Sequence, residues 1–78
     1  MRILLYGRLA EALDRQIELD APAACSVDAV RQRLQAEHSA VAGALARSRA
    51  VVGGAIAPDG QAVGPGDTIE FLPPVSGG

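Results

Sequence analysis

Pro73 and Pro74 stand directly behind Asp67-Thr68-Ile69-Glu70-Phe71-Leu72, and they fix where the fold has to stop. The six residues before them alternate as a strand does. Neither proline can donate to a sheet ladder, and each holds φ at about −65°. Pro74 also biases Pro73 toward extended backbone. A folded domain is therefore predicted over residues 1–72, followed by a separate extended tail over residues 73–78. Val75 and Ser76 lead to two residues without side chains, Gly77 and Gly78, and to a carboxylate. Such an arm can thread a channel too narrow for any Cβ and present its carboxylate to another protein's active site. It can equally be a frayed end, since chain termini are commonly disordered. The residues alone leave both readings open.

Seventy-eight residues make one domain, near the lower end for a core that stands without staples. A hydrophobic content of 49% excludes disorder. One cysteine excludes an internal disulfide, and no His/Cys cluster suggests a metal site, so packing alone must hold the fold. The net charge of −2, with arginines scattered, argues against nucleic-acid binding. A single Phe and a single Tyr leave no platform on which bases could stack. The apolar run Ile3-Leu4-Leu5-Tyr6 is too short for a signal-peptide core or a membrane span, so a cytoplasmic protein is expected. Lysine is absent altogether.

Along the chain, Met1–Tyr6 reads as a strand with Ile3 and Leu5 on one face and Leu4 and Tyr6 on the other. Arg8–Leu13 predicts one or two helical turns, and Gln16–Asp20 a second strand with Ile17 and Leu19 inward. The clearest helix begins at Ser26, a favourable N-cap, with Asp28 in the first turn. Val27, Val30 and Leu34 form its apolar stripe, while Arg31, Arg33, Gln35 and Glu37 fall toward the polar side. Ser39 is predicted to cap a short helix over Ala40–Ala46. Ala50–Ile56 reads as a strand broken at Gly53-Gly54 by a bulge or a close backbone approach. Pro58-Asp59-Gly60 suits a type I turn, and Gly64-Pro65-Gly66-Asp67 a type II turn. Between them Gln61–Val63 is at most a very short strand. Strands gathered on either side of one long helix indicate an α+β domain, the helix packed on one sheet face. The apolar first and last strands are expected as parallel neighbours at the sheet centre.

With this element order and this ending, the sequence resembles the sulfur-carrier branch of the ubiquitin-like β-grasp families. Within it, the likeness is greatest to the small, sulfur-carrying subunits of molybdopterin synthases. It rests on Ile3-Leu4-Leu5-Tyr6 with Leu9-Ala10-Glu11, on Val27-Asp28-Ala29-Val30-Arg31, and above all on Phe71-Leu72-Pro73-Pro74-Val75-Ser76-Gly77-Gly78. Family members often carry Asn where this chain has Ala57, and a longer segment before the last turn. The resemblance implies a β-grasp fold with a mixed sheet of four to five strands. It implies further that an ATP-using, ubiquitin-activating-like adenylyltransferase adenylates Gly78, and that sulfur then replaces AMP to give a thiocarboxylate. The tail residues Pro73, Pro74, Val75, Ser76 and Gly77 would then enter the large catalytic subunit of the synthase, in an assembly of two small and two large subunits. There the sulfur passes to a pterin precursor of the molybdenum cofactor. On this reading the chain binds no cofactor or metal and is no enzyme on its own. Sulfur carriage for thiamine or another pathway, and ubiquitin-like protein modification, are the alternatives.

The remaining candidates weigh differently. Leu4, Tyr6 and Leu72, with Phe71 beside them, are expected to form a docking face for a partner. Cys25 sits before a helix N-cap, where a thiol pKa can fall; packing on Val30 as a hydrophobic staple is the preferred role. His38 is read as the end of the main helix rather than as a catalyst. Asp67 has a turn role and Glu70 a solvent-facing one, so they do not form a catalytic pair. Without lysine, an activated Gly78 would find no side-chain amine on its own chain to acylate; Ala-rich, Arg-over-Lys usage produces the same absence by composition and is the preferred explanation.

Overall fold

A computed structural model of the chain describes residues 1–20 and 24–73. Five strands form one mixed sheet in the order β2-β1-β7-β4-β5: β1 is Arg2–Leu5, β2 Gln16–Glu18, β4 Arg49–Val52, β5 Ala55–Ala57 and β7 Thr68–Leu72. The two-residue strands β3 (Cys25–Ser26) and β6 (Ala62–Val63) pair separately. β1 and β7 run parallel, Ile3 beside Ile69 and Leu5 beside Phe71, with β7 at the sheet centre. All other pairings are antiparallel. This is the ubiquitin-like β-grasp arrangement, with the apolar first and last strands paired in parallel at its centre. Ile3, Leu5, Ile69 and Phe71 all point to one face and are at most 2% exposed.

Helix α2 (Val27–Glu37) covers that face, burying Val27, Val30 and Leu34. Ser26 starts it as expected, in extended backbone with its Oγ accepting the Ala29 N–H at 3.1 Å. Helix α1 (Arg8–Ala12) adds Leu9 to the core, and α3 (Ala42–Arg47) adds Leu45. Cys25 packs half-buried against the core cluster that contains Val30, which is the staple position. His38 is the C-cap of α2, its backbone N–H donating to the Leu34 carbonyl.

Four local expectations are corrected. Arg31 lies not on a polar face but in the interior, 8% exposed, where its guanidinium donates to the Leu45 and Ser48 carbonyls at the C-terminus of α3. Ser39 caps nothing; Ser39–Val41 is a turn of 3₁₀ helix, and α3 starts behind it at Ala42. Gly53-Gly54 is neither bulge nor close approach but the two-residue turn joining β4 to β5. Its φ angles of 61° and 82° suit the type I′ geometry that matches strand twist. The Gly64–Asp67 turn closes with the Asp67 N–H on the Gly64 carbonyl, yet Gly66 is not at positive φ, so the turn is not type II. The Asp67 carboxylate instead braces it by accepting the Gly64 N–H at 2.7 Å. Prediction and structure agree at Pro58–Gln61, where the Gln61 N–H closes the turn on the Pro58 carbonyl.

Candidate functional site

β7 delivers the tail. Leu72 ends the strand and Pro73 follows it, half-buried. Pro74, Val75, Ser76, Gly77 and Gly78, to which threading and sulfur chemistry were assigned, lie outside the described residues. Pro73 is seated against Gly7, the residue joining β1 to α1. A Cβ at Gly7 would stand 3.0 Å from Pro73 Cγ, and its φ of +58° is one that side-chain-bearing residues rarely adopt. Glycine is thus required there twice over, and the tail leaves the domain at the β1–α1 corner.

The sheet face turned away from α2 carries the docking candidates, with one correction. Leu4 and Leu72 are half-buried and Tyr6 is 41% exposed, all on this open face. Phe71 is not: neighbouring strand residues point to opposite faces, so Phe71 goes into the core with no exposed surface. Two apolar residues missing from the expected face belong to it. Val51 pairs with both Glu70 and Ile56, which continues the row Leu4–Glu70–Val51–Ile56 across four strands. Ile56 is 64% exposed. The signal was available in Gly53-Gly54, since a two-residue turn there puts Ile56 opposite Val51.

Glu70 sits in the middle of that apolar row, where it accepts a hydrogen bond from the Tyr6 hydroxyl at 3.3 Å. Desolvation, then the neighbouring Glu70 charge and this hydrogen bond, raise the Tyr6 phenol above its ordinary pKa. A groove of about 570 Å³ opens beside it, lined by Leu4, Tyr6, Gly7, Ala10, Glu11 and Arg15. An apolar surface with a groove next to the tail's root is what a partner needs if it is to grip the domain and receive the tail. Among the described residues no group of acidic, His and Cys side chains is placed to hold a metal ion. No helix among them is long and apolar enough to cross a membrane.

Comparison with known proteins adds the lineage. The profile of the ThiS family matches residues 3–78. Among solved structures, the chain resembles SAMP1 from Haloferax volcanii, at 27% identity over 99% of this chain and 97% of that one, TM-score 0.81. A second crystal structure, titled as H. volcanii small archaeal modifier protein 1, matches at 24% identity over 95% of each chain, TM-score 0.78. A protein titled putative molybdopterin converting factor, subunit 1, from Pyrococcus furiosus matches at 17% identity over 95% of each chain, TM-score 0.81. At the last two identities the likeness is one of fold. Comparison with curated proteins finds no match.

Proposed function

The chain belongs to the ThiS family, with the fold of ubiquitin-like sulfur carriers, and from that premise we propose that it is the sulfur-carrying small subunit of a molybdopterin synthase. In this reading a ubiquitin-activating-like enzyme spends ATP to adenylate the Gly78 carboxylate, giving an otherwise inert group a leaving group. Sulfur displaces AMP, and the resulting thiocarboxylate is a soft nucleophile that the large subunit directs at a pterin precursor in the cytoplasm. The chain supplies the arm and the docking face; acid, base and oxyanion donors come from its partners. The observation that carries the proposal is the ending Pro73-Pro74-Val75-Ser76-Gly77-Gly78, set directly on the central strand β7.

The chemistry requires a carboxylate at one fixed reach from Leu72. One residue added after Gly78 is therefore expected to abolish molybdenum-cofactor synthesis in cells with only that form, leaving the melting temperature unchanged. Normal synthesis with the extra residue retained would sink the proposal. The 27% identity to SAMP1 favours a second reading, in which Gly78 is joined to protein amines as a modifier. Intact-mass measurement of the protein from its own host separates the two: oxygen-to-sulfur exchange marks the carrier, a branched lysine adduct the modifier.

A further inference from the structure

The protein has seven arginines and no lysine, and two of the arginines flank the root of the tail. Arg49 lies directly across from Leu72 in the β4–β7 register. Arg8 follows Gly7, the residue against which Pro73 is seated. Both are exposed. The amino group of Met1 is out of play for a different reason. It is buried at the far end of the β1–β7 pair and donates to the Leu19 carbonyl at 3.0 Å, while the Leu19 N–H returns to the Met1 carbonyl.

These placements matter once Gly78 is activated, a premise taken from the proposed function. An acyl adenylate or thioester is open to any neutral amine nearby. The amine nitrogen bonds to the carbonyl carbon, the bond to phosphate oxygen or to sulfur breaks, and AMP or thiol departs as the amine's proton goes to solvent. A tethered amine meets the acyl group at an effective concentration on the order of millimolar. The five residues beyond Pro73 reach at most about 17 Å, so the surface around the tail root is within their range. A lysine there keeps a small neutral fraction at pH 8, because its pKa is only about 10.4. A guanidinium stays protonated at this pH, and its nitrogen lone pairs are delocalised.

We propose that arginine rather than lysine around the tail root makes this chain an acyl donor without an amine acceptor of its own: it neither captures its own activated end as an amide nor builds amide-linked chains of itself. Charge for a partner is retained where the tail emerges, without a nucleophile. This holds whatever set the composition.

The test uses the full chain carrying a chemically prepared C-terminal thioester, held at pH 8 and followed by mass spectrometry. The parent is expected to give only the hydrolysed acid, and an adduct when free lysine is added, which shows the thioester to be reactive. Arg49→Lys and Arg8→Lys are conservative changes at exposed positions. They are expected to give a ring product one water lighter than the acid, or a covalent dimer, at least about tenfold faster than the parent. Ring or dimer formation by the parent would overturn the inference, and so would variants that capture no faster than it does. The thioester is made without an activating enzyme, so a chain that is never activated in its host would fail the proposed function and leave this result intact.

Discussion

Tyr6 is the only tyrosine in a chain without tryptophan, so its ionisation can be read by ultraviolet absorbance without interference. Its phenol faces Glu70, and deprotonation would set two negative charges against each other across a hydrogen bond. Desolvation of the phenol, followed by this charge and hydrogen bond, favours the neutral form in the folded state and raises its pKa. The folded form holds the proton longer than the unfolded form does, so this site's contribution is fully present below the ordinary tyrosine pKa of about 10. It is lost as pH rises from there through the folded value. Tyr6 is expected to titrate above the model-peptide range, and Glu70→Gln to bring it part of the way back down, desolvation remaining. A Tyr6 titration unmoved by Glu70→Gln would show that the carboxylate does not act on the phenol.

At the scale of elements, Arg31 ties together parts that sequence spacing keeps separate. From α2 its Nη1 donates to the carbonyls of Leu45 and Ser48 at the end of α3, and to Ser48 Oγ. Its Nη2 reaches Asp59 in the β5–β6 turn at 3.3 Å, and its guanidinium lies 5.2 Å from the Phe71 ring centre in β7. Of these partners the carbonyls matter most. The Arg31 side chain is 10% exposed but that of Asp59 is 67% exposed, so water weakens the ion pair. Asp59→Asn is expected to cost less than about 1 kcal/mol. Arg31→Ala takes the guanidinium donor from the buried Ser48 carbonyl and opens a cavity, and is expected to cost about 3 kcal/mol. Urea denaturation of both variants checks the order; equal losses would return the weight to the ion pair.

Arg31 also marks the limit of what was legible in the sequence. Periodicity finds which residues are apolar and therefore finds β1, β7, the stripe Val27-Val30-Leu34 and the parallel central pair. It assigns a charged residue to solvent by type, and cannot see that α3 ends where Arg31 points. The same limit hid Val51 and Ile56, whose shared face depends on the hairpin that Gly53-Gly54 makes. Phe71 was misplaced against its own alternation, since Leu72 and Phe71 cannot both belong to the open face. Gly7 gave no signal in its spacing, because its positive φ belongs to the turn from β1 into α1 and its contact with Pro73 comes from the far end of the chain.

For the molecule as a whole, the proposed function divides stability from recognition between the two faces of β7. Phe71 is fully buried between the sheet and α2, whereas Leu72 lies on the open face beside the tail root. A domain of this size has on the order of 4–12 kcal/mol of net stability. Phe71→Ala is expected to remove about 3–5 kcal/mol of it through the cavity left in the core. Leu72→Glu loses some apolar contact on the sheet, but places a carboxylate directly across from Arg49. A cross-strand pair of opposite charge returns about 0.2–1 kcal/mol, so the net change in stability is expected to stay within about 1 kcal/mol. Binding should respond in the opposite order. A central apolar anchor on a docking face commonly costs about 2 kcal/mol or more when removed, and the new carboxylate must also be desolvated under the partner. Titration calorimetry against the large subunit of the proposed synthase, beside thermal melts of each free variant, measures both quantities. Leu72→Glu should lose affinity at nearly parental melting temperature, and Phe71→Ala should lose melting temperature first. If Leu72→Glu bound like the parent, the open face would not be the surface through which this domain offers its tail.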